Sequence, residues 1–237
     1  MNRFKLLVTF GAALIATTVA HTQPQDSTHG VREFTQSGTW RVPERVTQIT
    51  VELWAGGGGG AGAWSAAVGT DPGGGGGGGG SGAYVRTILT VRSGEDLTIR
   101  LGEGGTGGRG DARKPAAAGG DGQDTSVLRG EEVLVVARGG RGGAFPQQSG
   151  IDGGSGGHGG LAEPSDRALS RPGIDGRPGF RGGLPESAST LGGRGGHAVT
   201  GTLQPAGSFG GDGARAMAFG SSEPGQPGGR GSVVISW

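Results

Sequence analysis

The sequence predicts a mainly β fold that includes polyglycine-II helices and has almost no α-helix after residue 20. Three observations predict it. The 237-residue chain holds 60 glycines and no cysteine, several short segments alternate apolar and polar residues, and glycine recurs in a Gly-Gly-x pattern. Glycine brings no side chain to bury, so this composition cannot form an ordinary apolar core. The alternating segments distinguish the chain from a flexible linker, and part of it must therefore fold.

The first twenty residues read as a secretory signal peptide. Arg3 and Lys5 precede an apolar run, and small residues end at Ala20, where a signal peptidase would cut. The run is short for a membrane span, so we expect membrane attachment only through an uncleaved signal peptide. The expected location is secreted, periplasmic or cell-surface.

The remaining chain divides into a polar spacer at 21–33 and a glycine-rich domain at 34–237, with a polar insert at about 161–191. Removal of the first twenty residues leaves 19 basic and 20 acidic residues, a formal net charge of −1. No general attraction for nucleic acid follows from this balance, and none is expected as a partner.

The clearest strand lies before the first glycine run. After a short strand and a turn, apolar and other residues alternate, with Ile49, Val51 and Leu53 on one face and Thr50, Glu52 and Trp54 on the other. Further strands are predicted at Ala83–Val91, Asp96–Leu101, Glu132–Ala137 and Ser232–Trp237.

Glycine runs at Gly56–Gly60 and Gly73–Gly80 and the many Gly-Gly-x stretches separate these strands. A period of three matches the left-handed extended helix of proline and glycine chains, which has no internal hydrogen bonds. Several such helices side by side can satisfy one another's N–H and C=O groups, because glycine lets neighbouring backbones approach. The predicted bundle replaces an apolar core.

Less repetitive inserts read as loops at the ends of the glycine segments, and they hold most of the large side chains of the glycine-rich part. In a secreted protein with few aromatic residues, some of these rings are expected to contact a partner. The alternative is that they cap the ends of the bundle. The candidate ligand-binding residues are Trp64, Phe145, Phe180, Phe209 and Phe219.

The stretches FTQSGTWRVPERVTQITVELWAGGGGG, GGGGGGGGSGAYVRTILTV, SGEDLTIRLGEGG, GGDGQDTSV and GGRGSVVISW resemble the glycine-rich domain of bacteriophage tail-fibre and tail-adhesin proteins and of bacterial surface proteins. The resemblance covers Phe34 to about Gly143 and returns at Gly228–Trp237. It implies a small antiparallel β platform joined to a polyglycine-II bundle whose variable end loops touch a receptor. The leading signal peptide and the insert between Leu161 and Leu191 depart from the phage pattern.

No catalytic, metal or cofactor site is predicted. Gly102, Gly104 and Gly107 match the spacing of a dinucleotide fingerprint, but no helix follows to hold a pyrophosphate. The stretch Gly119–Asp124 resembles a single calcium-binding repeat, and a lone copy reads better as a tight turn. The four histidines lack metal-ligand spacing. We therefore expect the protein not to be an enzyme.

Three functions remain open at this point. The first is an adhesin-like recognition module that binds a cell-surface glycan or an outer-membrane or cell-wall protein through its end loops. The second is a structural envelope, matrix or coat protein that self-assembles. The third is ice binding, which needs a flat array of small residues, and Arg109, His158 and Arg194 beside glycine pairs argue against it.

Overall fold

The computed structural model describes residues 29–64, 73–110, 116–146, 152–162, 168–182, 189–200, 208–217 and 222–237. The expected signal peptide and Phe219 lie outside the described residues. The strands are β1 (Val31–Phe34), β2 (Gly38–Arg41), β3 (Gln48–Trp54), β4 (Tyr84–Thr90), β5 (Asp96–Arg100), β6 (Thr125–Arg129), β7 (Glu132–Ala137), β8 (Ala168–Arg171), β9 (Ser189–Thr190), β10 (Ala216–Met217) and β11 (Ser232–Ser236). Within these ranges there is no α-helix, and so no helix that is long and apolar enough to cross a membrane.

Two antiparallel sheets contain most of these strands, which confirms the mainly β prediction. The larger has the order β1-β11-β3-β4-β8, and the smaller has the order β2-β5-β6-β7. β9 and β10 form a separate two-stranded pair. The first and last strands of the described chain thus lie side by side, with Val31 opposite Ser236.

The apolar core lies between the two sheets. Ile49, Val51 and Leu53 of β3 are at most 1% exposed, as their alternation in the sequence predicts. They pack in one cluster with Leu97 and Ile99 of β5. Burial of such side chains stabilises the fold by about 25 cal/mol for each Å² of apolar surface removed from water.

The opposite face of β3 carries a second, smaller cluster. The rings of Trp54 and Tyr84 are 5.0 Å apart between centroids. The Tyr84 hydroxyl donates a hydrogen bond to Glu52 Oε2 (2.9 Å), and Trp54 Nε1–H donates to the carbonyl oxygen of Val199 (2.9 Å). These bonds satisfy polar atoms that burial would otherwise penalise.

Glycine-rich segments continue from the ends of the strands. They span residues 56–64, 73–83, 101–110, 116–124, 138–146, 152–162, 172–182, 191–200, 208–215 and 223–231. None of these segments is a strand or an α-helix. Their backbone N–H and C=O groups instead form hydrogen bonds with neighbouring segments. The expected polar insert at about 161–191 contains β8 and the 172–182 segment.

The lateral bonds repeat every three residues. Gly58 N–H donates to the Gly80 carbonyl (2.8 Å), and Ala61 N–H, three residues later, donates to the Gly77 carbonyl (2.8 Å). Between them, Gly59 N–H donates to a different segment, at Gly120 (2.9 Å). Successive residues of one segment therefore bond to different neighbours around it.

Two segments are central in this arrangement. Backbone bonds join 56–64 to the segments 73–83, 101–110, 116–124, 138–146, 208–215 and 223–231. They join 73–83 to the segments 56–64, 138–146, 152–162, 172–182, 191–200 and 208–215. The unbroken glycine runs Gly56–Gly60 and Gly73–Gly80 occupy these central positions and are fully buried.

Close backbone approach explains the demand for glycine. A Cβ atom on Gly58 would overlap the carbonyl oxygen of Arg141, and one on Gly79 would overlap the carbonyl oxygen of Gly58. Both obstacles are backbone atoms that already serve the lateral bonding. No residue with a side chain fits at these central sites without moving a neighbouring segment.

Candidate functional site

In an outer segment with the Gly-Gly-x pattern, every third residue faces solvent, whereas the Gly-x-x segment 172–182 exposes two residues in every three. In the 101–110 segment, Glu103, Thr106 and Arg109 are exposed, whereas the glycines between them are buried or half-buried. The third position of the Gly-Gly-x pattern therefore carries the outward side chain. Any chemistry of the glycine-rich region lies in these outward rows.

Among the described residues, outward acidic and basic side chains meet across three of the pairs of neighbouring outer segments. Arg138 Nη1 lies 2.8 Å from Asp124 Oδ2, and Arg181 Nε lies 3.2 Å from Asp152 Oδ1. The remaining pairs of this kind are Arg141 with Asp121, His158 with Asp175, and Arg230 with Glu103. Exposed ion pairs of this type each contribute little to stability, at about 0–1 kcal/mol.

The aspartates in these rows also accept backbone N–H groups. Asp124 Oδ1 accepts Gly139 N–H (2.9 Å), and Asp121 Oδ1 accepts Gly142 N–H (2.9 Å). Asp175 Oδ1 accepts the N–H of Gly159 at 2.7 Å. Outward-facing backbone N–H groups therefore donate to a carboxylate oxygen, where inward-facing ones donate to a carbonyl oxygen of a neighbouring segment.

These contacts shift carboxyl pKa values downward. The N–H of Gly159 holds the pKa of Asp175 below its ordinary value, and His158 adds to the effect against partial desolvation. Desolvation acts to raise the pKa of Asp121, but the Gly142 N–H and Arg141 outweigh it, so that pKa is also lowered. Both side chains are therefore held in the charged form.

A groove of about 860 Å³ crosses the outer segments 172–182, 191–200, 208–215 and 223–231. Its apolar wall contains Phe180 and Leu191, which are 61% and 50% exposed. The charged residues that line it are Arg177, Arg181, Arg194, Arg215, Asp212 and Glu223. The groove is the candidate site, because it combines exposed apolar area with converging charged groups.

The aromatic residues singled out from the sequence do not share one place. Phe180 lines the groove, and Trp64 is half-buried where its backbone N–H donates to Gly74. Phe145 is 39% exposed and lies in the 138–146 segment. Phe209 is 48% exposed and lies near the sheets. It follows Ser208, whose carbonyl oxygen accepts the backbone N–H of Gly82.

Sequence reasoning missed the arginines of the groove. Arg177 N–H donates to the Arg194 carbonyl (2.8 Å), which places the two residues side by side on neighbouring segments. From the sequence, Arg194 was named only as a charged or bulky residue that argues against ice binding, and Arg177 was not singled out. Neighbouring segments are set by lateral bonding, which a repeated Gly-Gly-x pattern does not encode.

Most of the described residues belong either to the antiparallel sheets or to the laterally bonded glycine-rich segments. A family model described as a glycine-rich domain matches residues 33–237. The chain belongs to this glycine-rich domain family. No curated protein matches it.

In this glycine-rich domain, the stretch that resembles a calcium repeat serves another purpose. Asp121 and Asp124 accept the N–H groups of Gly142 and Gly139, and they face two arginines. The described residues contain no group of three or more histidine, aspartate or glutamate side chains that could hold a metal ion. The acidic residues of this stretch thus join neighbouring segments.

Proposed function

We propose that this glycine-rich domain is an exported, non-enzymatic recognition module that binds a cell-surface molecule. In this proposal the sheets form a platform, and the glycine-rich segments form a polyglycine-II bundle that holds outward side chains in fixed positions. The observation that carries the proposal is the groove, where an exposed phenylalanine and several arginines converge on the surface of buried, tightly bonded backbone.

The hydrogen-bonding pattern supports polyglycine-II helices in this role. A helix with three residues per turn and no internal hydrogen bonds must bond laterally, and its partner segments recur every three residues. The bonds from Gly58 and Ala61 to one segment, with Gly59 bonded to another, follow that period. Inner helices then need glycine on every face, while outer helices can carry one or two outward residues per turn.

Such a scaffold suits recognition because its outward residues can change without disturbing the backbone packing. A rigid support reduces the ordering cost that a flexible loop incurs when it binds. The expected partners are a surface glycan or an outer-membrane or cell-wall protein, by analogy with the tail-fibre and surface proteins that the sequence resembles. Among the described aromatic residues, Phe180 is best placed for this contact, since it is exposed in the groove.

A structural role in an envelope, matrix or coat is the second candidate. The position of β7 favours this role, because β7 is an edge strand of the four-stranded sheet and its Val133 side chain is 54% exposed. An open sheet edge can pair with a strand of a second copy and so lead to assembly. Light scattering that reveals large particles of the purified protein would favour this role.

The test is binding of the labelled protein to bacterial cells, purified envelope fractions and a glycan panel. We expect saturable binding that Phe180→Ala weakens at least several-fold. Phe209→Ala is the matched control, because it removes an exposed ring near the sheets. Circular dichroism would establish that each variant is folded. Absence of binding to every target by the folded protein would overturn the recognition proposal in favour of the structural one.

A further inference from the structure

The groove has two rows of side chains, and their order follows from the backbone bonds. In the first row, the backbone N–H of Arg177 donates to the Arg194 carbonyl, and the backbone N–H of Gln226 donates to the Asp212 carbonyl. The Asp212 side chain accepts the Gly195 N–H through Oδ1 (2.8 Å). One turn away, Phe180 N–H donates to the Leu191 carbonyl (3.0 Å). In the proposed helices a turn rises about 9 Å, so the two rows are that far apart.

The second row continues beyond the apolar pair. Glu223 N–H donates to the Arg215 carbonyl (3.3 Å), and both side chains line the groove. The two rows together present guanidinium groups, two carboxylates, one amide and an exposed phenyl ring. A ligand that fills the groove meets all of these chemical types.

Three of the four arginines that line the groove have no carboxylate partner among the described residues, whereas Arg181 pairs with Asp152. On other outer segments several outward arginines face a carboxylate on the neighbouring segment, as Arg138 faces Asp124. Within the described ranges, Arg177, Arg194 and Arg215 form no ion pair. Arg177 and Arg194 even lie next to each other, an arrangement of like charges that is unfavourable until an anion joins them.

We propose that this groove binds an acidic glycan whose carboxylate or phosphate groups are held by Arg177, Arg194 and Arg215. This inference rests on the recognition function proposed above and names the ligand class. Guanidinium groups bind planar or tetrahedral oxyanions through paired N–H donors. The apolar face of a sugar ring packs on Phe180, which supplies contact area at low entropic cost.

The acidic and amide groups of the groove favour a glycan over a nucleic acid. Asp212, Glu223 and Gln226 offer oxygen acceptors beside the arginines, and sugar hydroxyls donate to such acceptors. A nucleic-acid backbone would instead place a regular line of phosphates against those carboxylates. Single-strand binding sites also combine an evenly basic groove with several stacking rings, whereas the described residues that line this groove include one ring.

The test compares binding of the full chain to a carboxylated glycan, a phosphorylated glycan, an uncharged glycan and single-stranded RNA. We expect binding to one or both acidic glycans, none to the uncharged one, and weaker binding at higher salt. The variant Arg177→Gln with Arg194→Gln should reduce acidic-glycan affinity about tenfold or more.

The control variant is Arg138→Gln with Arg141→Gln, which removes the same charge. These two arginines lie in the 138–146 segment, whose outer neighbours are the segments 116–124 and 152–162. The groove segment 208–215 has different outer neighbours, 191–200 and 223–231. The control residues therefore lie away from the groove. We expect it to bind like the unaltered protein. Circular dichroism and melting curves would verify folding of both variants.

Three outcomes would overturn the glycan inference. The first is an equal loss of affinity in both double variants, and the second is tighter binding of RNA than of any glycan. The third is that the double variant Arg177→Gln with Arg194→Gln binds cells as tightly as the unaltered protein. The last outcome would leave the recognition function in place, so the failures of the two proposals are distinguishable. Recognition itself fails only when the folded protein binds no surface target.

Discussion

At the scale of single residues, outward aspartates complete the hydrogen bonding of the glycine-rich region. An outer segment has donors that face no neighbouring backbone, and Asp121, Asp124 and Asp175 accept several of them. Each lies opposite an arginine or histidine, so the carboxylate bonds to a side chain and to a backbone N–H together. This double use explains acidic residues in a chain that is otherwise so rich in glycine.

The lowered pKa values of Asp121 and Asp175 predict a loss of stability in acid. The unfolded state binds protons at about pH 3.9, before the folded state does, so this stability is present above that pH and is lost as pH falls below it. Both side chains are more than half exposed, so we expect a modest effect on the melting temperature, of about 1–2 °C.

The variant Asp121→Asn with Asp175→Asn tests this prediction, because an amide oxygen still accepts the glycine N–H but does not titrate. Melting temperatures measured from neutral pH down to about pH 3 should fall less in the variant than in the unaltered protein. Identical acid profiles for the two proteins would show that these carboxylates do not contribute.

At the scale of elements, the two central glycine segments are the least tolerant part of the chain. Gly58→Ala would place a methyl group against the carbonyl oxygen of Arg141, and Gly38→Ala in β2 would meet nothing within 4 Å. The first substitution should destabilise by about 1–3 kcal/mol or more, because backbone must move. The second should be neutral or slightly stabilising.

Denaturant unfolding of both alanine variants measures this difference. Gly38→Ala is a matched control, because it is the same chemical change in a β-strand with open space around it. Equal stabilities for the two variants would contradict close packing of the 56–64 segment.

Strands with a clear alternating pattern were predictable, and strands made by pairing were not. The predicted segments contain β3, β4, β5, β7 and β11, each within about a residue of the expected ends. β6 was missed because Thr125–Arg129 has too few alternating residues to stand out. β8 was missed because its four residues lie in a polar stretch, where pairing with β4 alone defines it.

The candidate site was predictable only in part. An exposed Phe180 follows from its place in a polar insert, but the arginine row depends on which segments lie side by side. One signal was present: unbroken glycine marks the central segments, and Gly-Gly-x marks several of the outer ones. The order of the outer segments around the centre depends on loop paths that the repeat does not specify.

At the scale of the whole molecule, two kinds of interior act together. The sheets bury an ordinary apolar cluster, and the glycine-rich region buries backbone that is bonded to backbone. Nine of the ten segments adjoin a strand at one end, so the strands fix one end of each of these nine. Each lateral bond contributes only about 1 kcal/mol, so order must come from many bonds that form cooperatively.

The central claim is that Gly56–Gly60 and Gly73–Gly80 form an ordered interior. Residue-resolved amide hydrogen exchange tests it most directly, because the N–H groups of Gly56–Gly60 and Gly75–Gly80 are buried and bonded to neighbouring segments. We predict protection comparable to that of the β3 and β4 amides, since opening one central segment breaks bonds to several others. Exchange of these glycines at the rate of an unstructured chain, with β3 and β4 still protected, would contradict the claim.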